Sequence, residues 1–126
     1  MKVYLDFDGT VVEHKYPAIG KYNEGAFDVI KKLLDAGHEV ILNTYRVELS
    51  GAKMLDAKDY ILRGLGIESM PHTMIKFHPS DWDWQIFNAN DVIYIDDCGT
   101  GHPMRKDAPM IDWAVVDLEF KANGVY

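Results

Sequence analysis

The stretch KVYLDFDGTVV, residues 2–12, decides the fold and indicates the chemistry. Its apolar run, VYL, is rich in strand formers and predicts a short buried strand. Asp6 and Asp8 follow this run directly, with one phenylalanine between them, and a glycine and a threonine come next. Two carboxylates at the end of a buried strand indicate a functional site, because charged groups are costly to bury without a partner.

The rest of the chain alternates strand and helix patterns. Apolar residues at helical spacing predict three helices. The first is capped by Asn23 and stopped by Gly37, and the second covers KMLDAKDYILRGLGI with an apolar stripe of Met54, Ala57, Ile61 and Leu65. The last runs from a cap at Asp112 to a stop at Gly124, although its segment WAVVDLEF also has the pattern of a strand. Short apolar runs predict three further strands, at VIL (40–42), TMIKF (73–77) and VIYI (92–95).

Strands of this kind, buried on both faces and separated by helices, predict a parallel sheet covered by helices. We therefore expect a three-layer, Rossmann-like α/β fold in a single domain over residues 1–126. The loop at residues 11–22 is too short for a domain and is expected to form a flap. Trp82, Trp84 and Phe87 are expected to cover an edge of the sheet.

Composition narrows the function classes. The net charge of −7 argues against extended nucleic-acid binding through a broad basic face, and the apolar runs are too short to cross a membrane. The single cysteine, Cys98, forms no intrachain disulfide, which fits a cytoplasmic protein. The expected partner is a small molecule or a terminal phosphomonoester, and the oligomeric state, including a homo-oligomer, stays open.

In parallel α/β sheets the ligand crevice lies beyond the carboxyl ends of the strands. The residues that follow the predicted strands are therefore the candidate site residues. They are Asp6, Asp8, Gly9 and Thr10 after the first strand, Asn43, Thr44 and Arg46 after the second, and Asp96 and Asp97 after the fourth.

Carboxylates that converge in this way repel one another, and a hard cation such as Mg²⁺ with oxygen ligands is the usual compensation. The residue types then suit phosphoryl transfer. One aspartate can attack phosphorus and form an aspartyl-phosphate, and a second can protonate the leaving oxygen and later activate water. Gly9 would let the backbone turn tightly near the ligand, and Thr44 could donate its hydroxyl to a phosphate oxygen, unless it serves as a turn or cap residue.

The ordered trio of DFDGT after the first strand, a threonine after the second and IDD after a later strand resembles the phosphatases of the haloacid dehalogenase (HAD) superfamily. The resemblance implies Asp6 as nucleophile and Asp8 as general acid/base. It also implies Thr44 on the phosphate, and Mg²⁺ held by Asp6, the Asp8 carbonyl and the pair Asp96 and Asp97. The second aspartate of the motif favours a phosphatase over a dehalogenase. The short intervals imply a small member without a cap domain.

The same resemblance implies a lysine that neutralises the nucleophile and the phosphate together. Lys76 in the third predicted strand is the first candidate, and Arg46 is its rival. Arg46 could also clamp phosphate through its planar fork, or could form an ordinary surface salt bridge. Cys98 is expected to be a small packing residue, and the five histidines, which lack metal-ligand spacing, are expected on surfaces or loops.

Two other classes of protein stay open. A receiver domain of two-component signalling has a similar length and an acidic magnesium site, but its acidic pair follows the first strand and its phosphoacceptor comes later. A catalytically inert binding module on the HAD fold would carry the same elements without turnover. The order of motifs favours a magnesium-dependent phosphomonoester hydrolase over the receiver, and the presence of all the expected acids favours it over the inert module.

Overall fold

The computed structural model describes residues 1–74, 84–86, 91–99 and 101–126. Its centre is a sheet of four parallel strands in the order β3-β2-β1-β4. The strands are β1 (Lys2–Leu5), β2 (Glu39–Asn43), β3 (His72–Thr73) and β4 (Val92–Ile95). The predicted α/β fold with a central parallel sheet is confirmed.

The register of the sheet brings the predicted site together. β1 is central, and Leu5 pairs with Leu42 of β2 on one side and with Ile95 of β4 on the other. The Asp6 amide then donates to the Ile95 carbonyl at 2.9 Å. The acidic residues after β1 and β4 therefore leave the sheet side by side at its carboxyl edge, as parallel strands require.

Three long helices flank the sheet: α1 (Ala26–Asp35), α3 (Gly51–Leu65) and α4 (Trp113–Ala122). Each buries one apolar stripe, and the stripe of α3 consists of Met54, Ala57, Ile61 and Leu65, as the sequence predicted. Asp112 caps α4 through the Val115 amide, also as predicted. A short helix, α2 (Arg46–Leu49), was not predicted from the sequence.

The predicted N-cap of α1 is wrong. The helix begins after Gly25, whose φ of 92° opens the first turn without a side-chain cap. Asn23 is instead fully buried, and its amide donates to the carbonyls of Thr10 at 2.9 Å and Ile111 at 2.7 Å. The side-chain oxygen of Asn23, the atom that an N-cap would use, accepts instead from a terminal nitrogen of Arg105 at 3.1 Å, so Asn23 joins three segments rather than capping the helix.

The predicted third strand at residues 73–77 overlaps the described strand β3 only at Thr73, where β3 ends. Met74 is described but is not in a strand, and residues 75–77 lie outside the described residues, as do Trp82 and Phe87. Trp84 is described, and it stacks on Phe120 of α4 with ring centroids 5.6 Å apart.

The flap at residues 11–22 returns on itself rather than forming a domain. Val12 bridges to Tyr22, and the Glu13 amide donates to the Lys21 carbonyl at 2.8 Å. Its first residues, Val11 and Val12, are fully buried in the core, so the flap is anchored at its base.

Candidate active site

A cavity of about 280 Å³ opens at the carboxyl edge of the sheet. All four predicted carboxylates are among the described residues that line it: Asp6, Asp8, Asp96 and Asp97. Thr44 and Arg46 also line it. The four carboxylates therefore converge on one cavity, as the sequence predicted. Gly9, Thr10 and Asn43 are described but do not line the cavity.

Asp6 is the most constrained carboxylate of the site. Thr10, which is fully buried, donates its hydroxyl to Asp6 Oδ2 at 3.0 Å. Burial, and then the charges of Asp96 and Asp97, hold the pKa of Asp6 well above its usual value. Thr10 was predicted to bind substrate, but its observed contact is with the aspartate, whose orientation it fixes.

The Thr10 loop is itself held from two sides. Its carbonyl accepts hydrogen bonds from the Asn23 amide at 2.9 Å and from Trp113 Nε1 at 2.8 Å. Trp113, the first residue of α4, is almost completely buried. The rigid helix and the buried amide together fix the backbone that carries the hydroxyl to Asp6, an arrangement that preorganised sites require.

Asp96 and Asp97 supply the second half of the acidic cluster. Burial and the adjacent charge of Asp97 together raise the pKa of Asp96 to about 6, against the opposing hydrogen bond from the Cys98 amide. Ligand atoms of Asp96, Asp97 and Cys98 lie within 4.8 Å of one another and could hold a metal ion. Carboxylates that resist ionisation through mutual repulsion are a suitable donor set for a hard divalent cation.

Cys98 is not the packing residue that the sequence predicted. It is exposed, and its thiol lies 3.8 Å from Asp97 Oδ1. Burial of the sulfur and the neighbouring carboxylates raise the pKa of Cys98 to about 12, so the thiol stays protonated near neutral pH. A protonated thiol is a poor nucleophile, so Cys98 is a weaker candidate for covalent chemistry than the carboxylates.

Position 9 requires a glycine for two reasons: its backbone conformation and the close approach of the Asp97 side chain. Its φ is +81°, and a Cβ atom at this position would lie 2.6 Å from Cγ of Asp97. The absence of a side chain thus lets the loop after β1 turn against the acidic pair after β4. The predicted tight turn is present, and it accommodates Asp97.

Arg46, the first residue of α2, is buried with 1% of its side chain exposed. Its Nε and one terminal nitrogen donate to the two oxygens of Asp8, both at 2.8 Å. This fork is the bidentate geometry that arginine makes with carboxylates. The alternative of a surface salt bridge is therefore wrong, since the pair is removed from solvent.

The same guanidinium also holds the flap. It donates to the Ala18 carbonyl at 2.9 Å and to the Lys53 carbonyl at 3.3 Å. It lies 5.1 Å from the ring centroids of both Phe7 and Tyr16. Arg46 therefore joins the DFDGT loop, the flap and α3, with its donors directed at protein acceptors.

Thr44 is buried at the end of β2, where its hydroxyl oxygen accepts from the Arg46 amide at 3.2 Å. This contact corresponds to the turn or cap role that the sequence analysis gave as the alternative for Thr44. The hydroxyl hydrogen can still be donated into the cavity that Thr44 lines. Asn43 pairs with Thr73 in the sheet. Lys76, the candidate for charge neutralisation, lies outside the described residues.

His102 is a site residue that sequence reasoning missed. It was expected on a surface or in a loop; it does lie in a loop, but it is buried, and its Nδ1 accepts from the Asp96 amide at 3.2 Å. Its ring packs 5.2 Å from that of Trp84. The one sequence signal was its position six residues after Asp96, near enough for the loop to return to the end of β4.

The mouth of the cavity differs in character from its floor. Its remaining described lining residues carry no carboxylate: His14, Tyr16, Tyr45, Leu49 and Cys98. Tyr45 lies just before α2 and is exposed over 49% of its surface, and Leu49 ends α2 and is exposed over 62%. An acidic floor thus meets a largely apolar rim.

Comparison with known proteins supports the fold. No protein-family model matches the sequence, and none of the curated proteins does. The solved structure of a conserved protein from Bacteroides thetaiotaomicron is similar, with a TM-score of 0.64 and 26% sequence identity. The match covers 98% of this chain and 91% of that chain, so the similarity extends over the whole α/β domain. None of the described helices is both long and apolar enough to cross a membrane.

Proposed function

We propose that this protein is a phosphomonoester hydrolase of the HAD type that depends on Mg²⁺ and works through an aspartyl-phosphate. The observation that carries the proposal is the convergence of Asp6, Asp8, Asp96 and Asp97 on one cavity, with Thr10 fixing Asp6. Four carboxylates so close together suit a cation and an anionic phosphate better than they suit any neutral ligand.

In this mechanism an oxygen of Asp6 forms the bond to phosphorus, and the bond from phosphorus to the ester oxygen breaks. Asp8 gives the departing alcohol its proton. Water then attacks phosphorus and passes a proton to Asp8, which releases inorganic phosphate and restores Asp6. Asp6, the Asp8 carbonyl, Asp96 and Asp97 would hold Mg²⁺, which neutralises charge on the phosphate.

Both oxygens of Asp8 accept from the Arg46 guanidinium, and each keeps a second lone pair that can carry the exchanged proton. We therefore assign Arg46 to Asp8 and not to the phosphate. The charge of Asp6 would then be offset by Mg²⁺ and by Lys76, the first candidate for the lysine that the resemblance implies.

The test is turnover of an aryl phosphate with Mg²⁺ by the wild-type protein and by Asp6→Asn. Removal of the nucleophile should lower kcat by several orders of magnitude, on the scale of about 10⁴-fold or more. Asp59→Asn, a change on the exposed surface of α3, should retain activity. Substantial turnover by Asp6→Asn would contradict the mechanism, a single phosphorylation per molecule would favour a receiver, and no reaction with varied phosphates would favour an inert module.

A further inference from the structure

The residues at the rim of the cavity indicate which alcohol group the substrate could carry. The floor accounts for a phosphate and a cation, but it does not account for the exposed apolar surface of Tyr45 and Leu49 at the entrance. A leaving group attached to a phosphate on the floor would have to pass between these side chains and the flap residues His14 and Tyr16.

The charges of the site restrict that leaving group further. Arg46 is the only lysine or arginine among the described residues that line the cavity, and its fork is used by Asp8. A second anionic group on the substrate would face four carboxylates without a described cation to pair with it. The net charge of −7 also disfavours a substrate with a second anionic group.

The size of the cavity favours a small leaving group. Its volume of about 280 Å³ lies just below the range of about 300–1,000 Å³ that small-molecule sites usually have. One phosphate and one ring fit this space better than a dinucleotide or a polymer does.

Resting on the proposed function, we infer that the substrates are monoesters of one phosphate with a small, uncharged, apolar ring. The ring packs on Tyr45 and Leu49, and the phosphate lies at Asp6. Aromatic and aliphatic side chains at the entrance favour such a ring by burying its surface and by ring packing.

The test compares two alkyl esters that differ mainly in the ring, benzyl phosphate and ethyl phosphate. The wild-type protein should hydrolyse benzyl phosphate with a kcat/KM at least about 10-fold higher, the scale of partial burial of an aromatic ring. Leu49→Ala and Tyr45→Ala should each reduce this ratio towards one. Leu118→Ala, which truncates an equally exposed leucine on α4 away from the cavity, should leave it unchanged.

Binding of the two matching phosphonates separates this inference from the proposed function. Benzylphosphonate and ethylphosphonate cannot be hydrolysed, and calorimetry in the presence of Mg²⁺ gives their affinities directly. Preferential binding of the benzyl compound without turnover of either ester would refute the hydrolase and keep the ring site. Turnover without a preference would keep the hydrolase and overturn the inference, and binding of neither phosphonate would also overturn it.

Discussion

The guanidinium of Arg46 and the carboxylate of Asp8 form a closed, two-bond pair, with both distances at 2.8 Å. The two residues are 38 positions apart, with Asp8 in the loop after β1 and Arg46 at the start of α2, which follows β2. Because the same guanidinium also donates to the Ala18 carbonyl, the predicted acid/base and the flap are held by one side chain.

Replacement of Arg46 should therefore loosen the flap as well as the site. Arg46→Lys keeps the charge but loses the fork, so it cannot serve Asp8 and the flap carbonyls together. We expect faster tryptic cleavage after Lys15 and Lys21, which lie in the flap, and a lower kcat with a smaller change in KM. Arg63→Lys, in an exposed pair with Asp59, is the matched control. If the flap keeps its wild-type protease resistance in Arg46→Lys, Arg46 does not hold it.

Thr10 should act on activity through Asp6. Thr10→Val preserves shape and removes the hydroxyl that donates to Asp6 Oδ2. A lost hydrogen bond to a charged group corresponds to a decrease in kcat of about 10- to 100-fold. Thr10→Ser restores the hydroxyl and should recover most of the activity. Equal losses in both variants would show that the methyl group, and not the hydroxyl, is what matters.

Gly9 and Gly37 allow a matched comparison of steric conflict. Both have positive φ, but a Cβ at Gly9 would conflict with Asp97, whereas a Cβ at Gly37 would have nothing within 4 Å. Gly37→Ala should therefore cost only the backbone strain, about 1–2 kcal/mol of unfolding free energy. Gly9→Ala should cost more, and it should weaken Mg²⁺ binding by displacing Asp97. Similar effects of the two changes on Mg²⁺ affinity would contradict the close approach.

The acidic cluster predicts a pH dependence of stability. Asp96 has a pKa of about 6 in the folded protein against 3.8 for an ordinary aspartate, so the folded state binds its proton more tightly. The free energy of unfolding should therefore contain a contribution that decreases as the pH rises from about 4 to about 6. Mg²⁺ should offset this loss, because it binds the ionised carboxylates.

The measurement is the Tm with and without Mg²⁺ at about pH 4 and at about pH 7, where the carboxylates differ in charge. The gain from Mg²⁺ should be larger at the higher pH and should decrease in Asp96→Asn. Asp59→Asn controls for the loss of one surface charge. An equal gain at both pH values would argue against a cation among these carboxylates.

Much of the fold followed from periodicity. The apolar stripe of α3 and the Asp112 cap of α4 were predicted residue by residue, because repeated spacing and cap chemistry are local signals. The convergence of the acidic residues also followed, since parallel strands share a carboxyl edge. Asn23 was placed incorrectly because its two acceptors, Thr10 and Ile111, belong to distant segments that no local pattern identifies.

The electrostatic environment of the site was harder to predict than its residue types. Arg46 could equally have been a surface residue, and only its burial against Phe7 and Tyr16 distinguishes the two cases. His102 carried no metal-ligand spacing, because its role is to accept a backbone hydrogen bond. Such contacts depend on how loops return to the sheet, and a single sequence does not encode that in its spacing.

The bond between Asn23 and the Ile111 carbonyl spans 88 positions of the chain, and that between Trp113 and the Thr10 carbonyl spans 103. During synthesis the DFDGT loop leaves the ribosome early, but the groups that fix it arrive near the end. One edge of β1 also stays unpaired until β4 has been synthesised. A nascent chain should therefore carry Asp6 for most of its synthesis without an assembled site around it, so the proposed phosphate chemistry becomes possible only when the last helix docks.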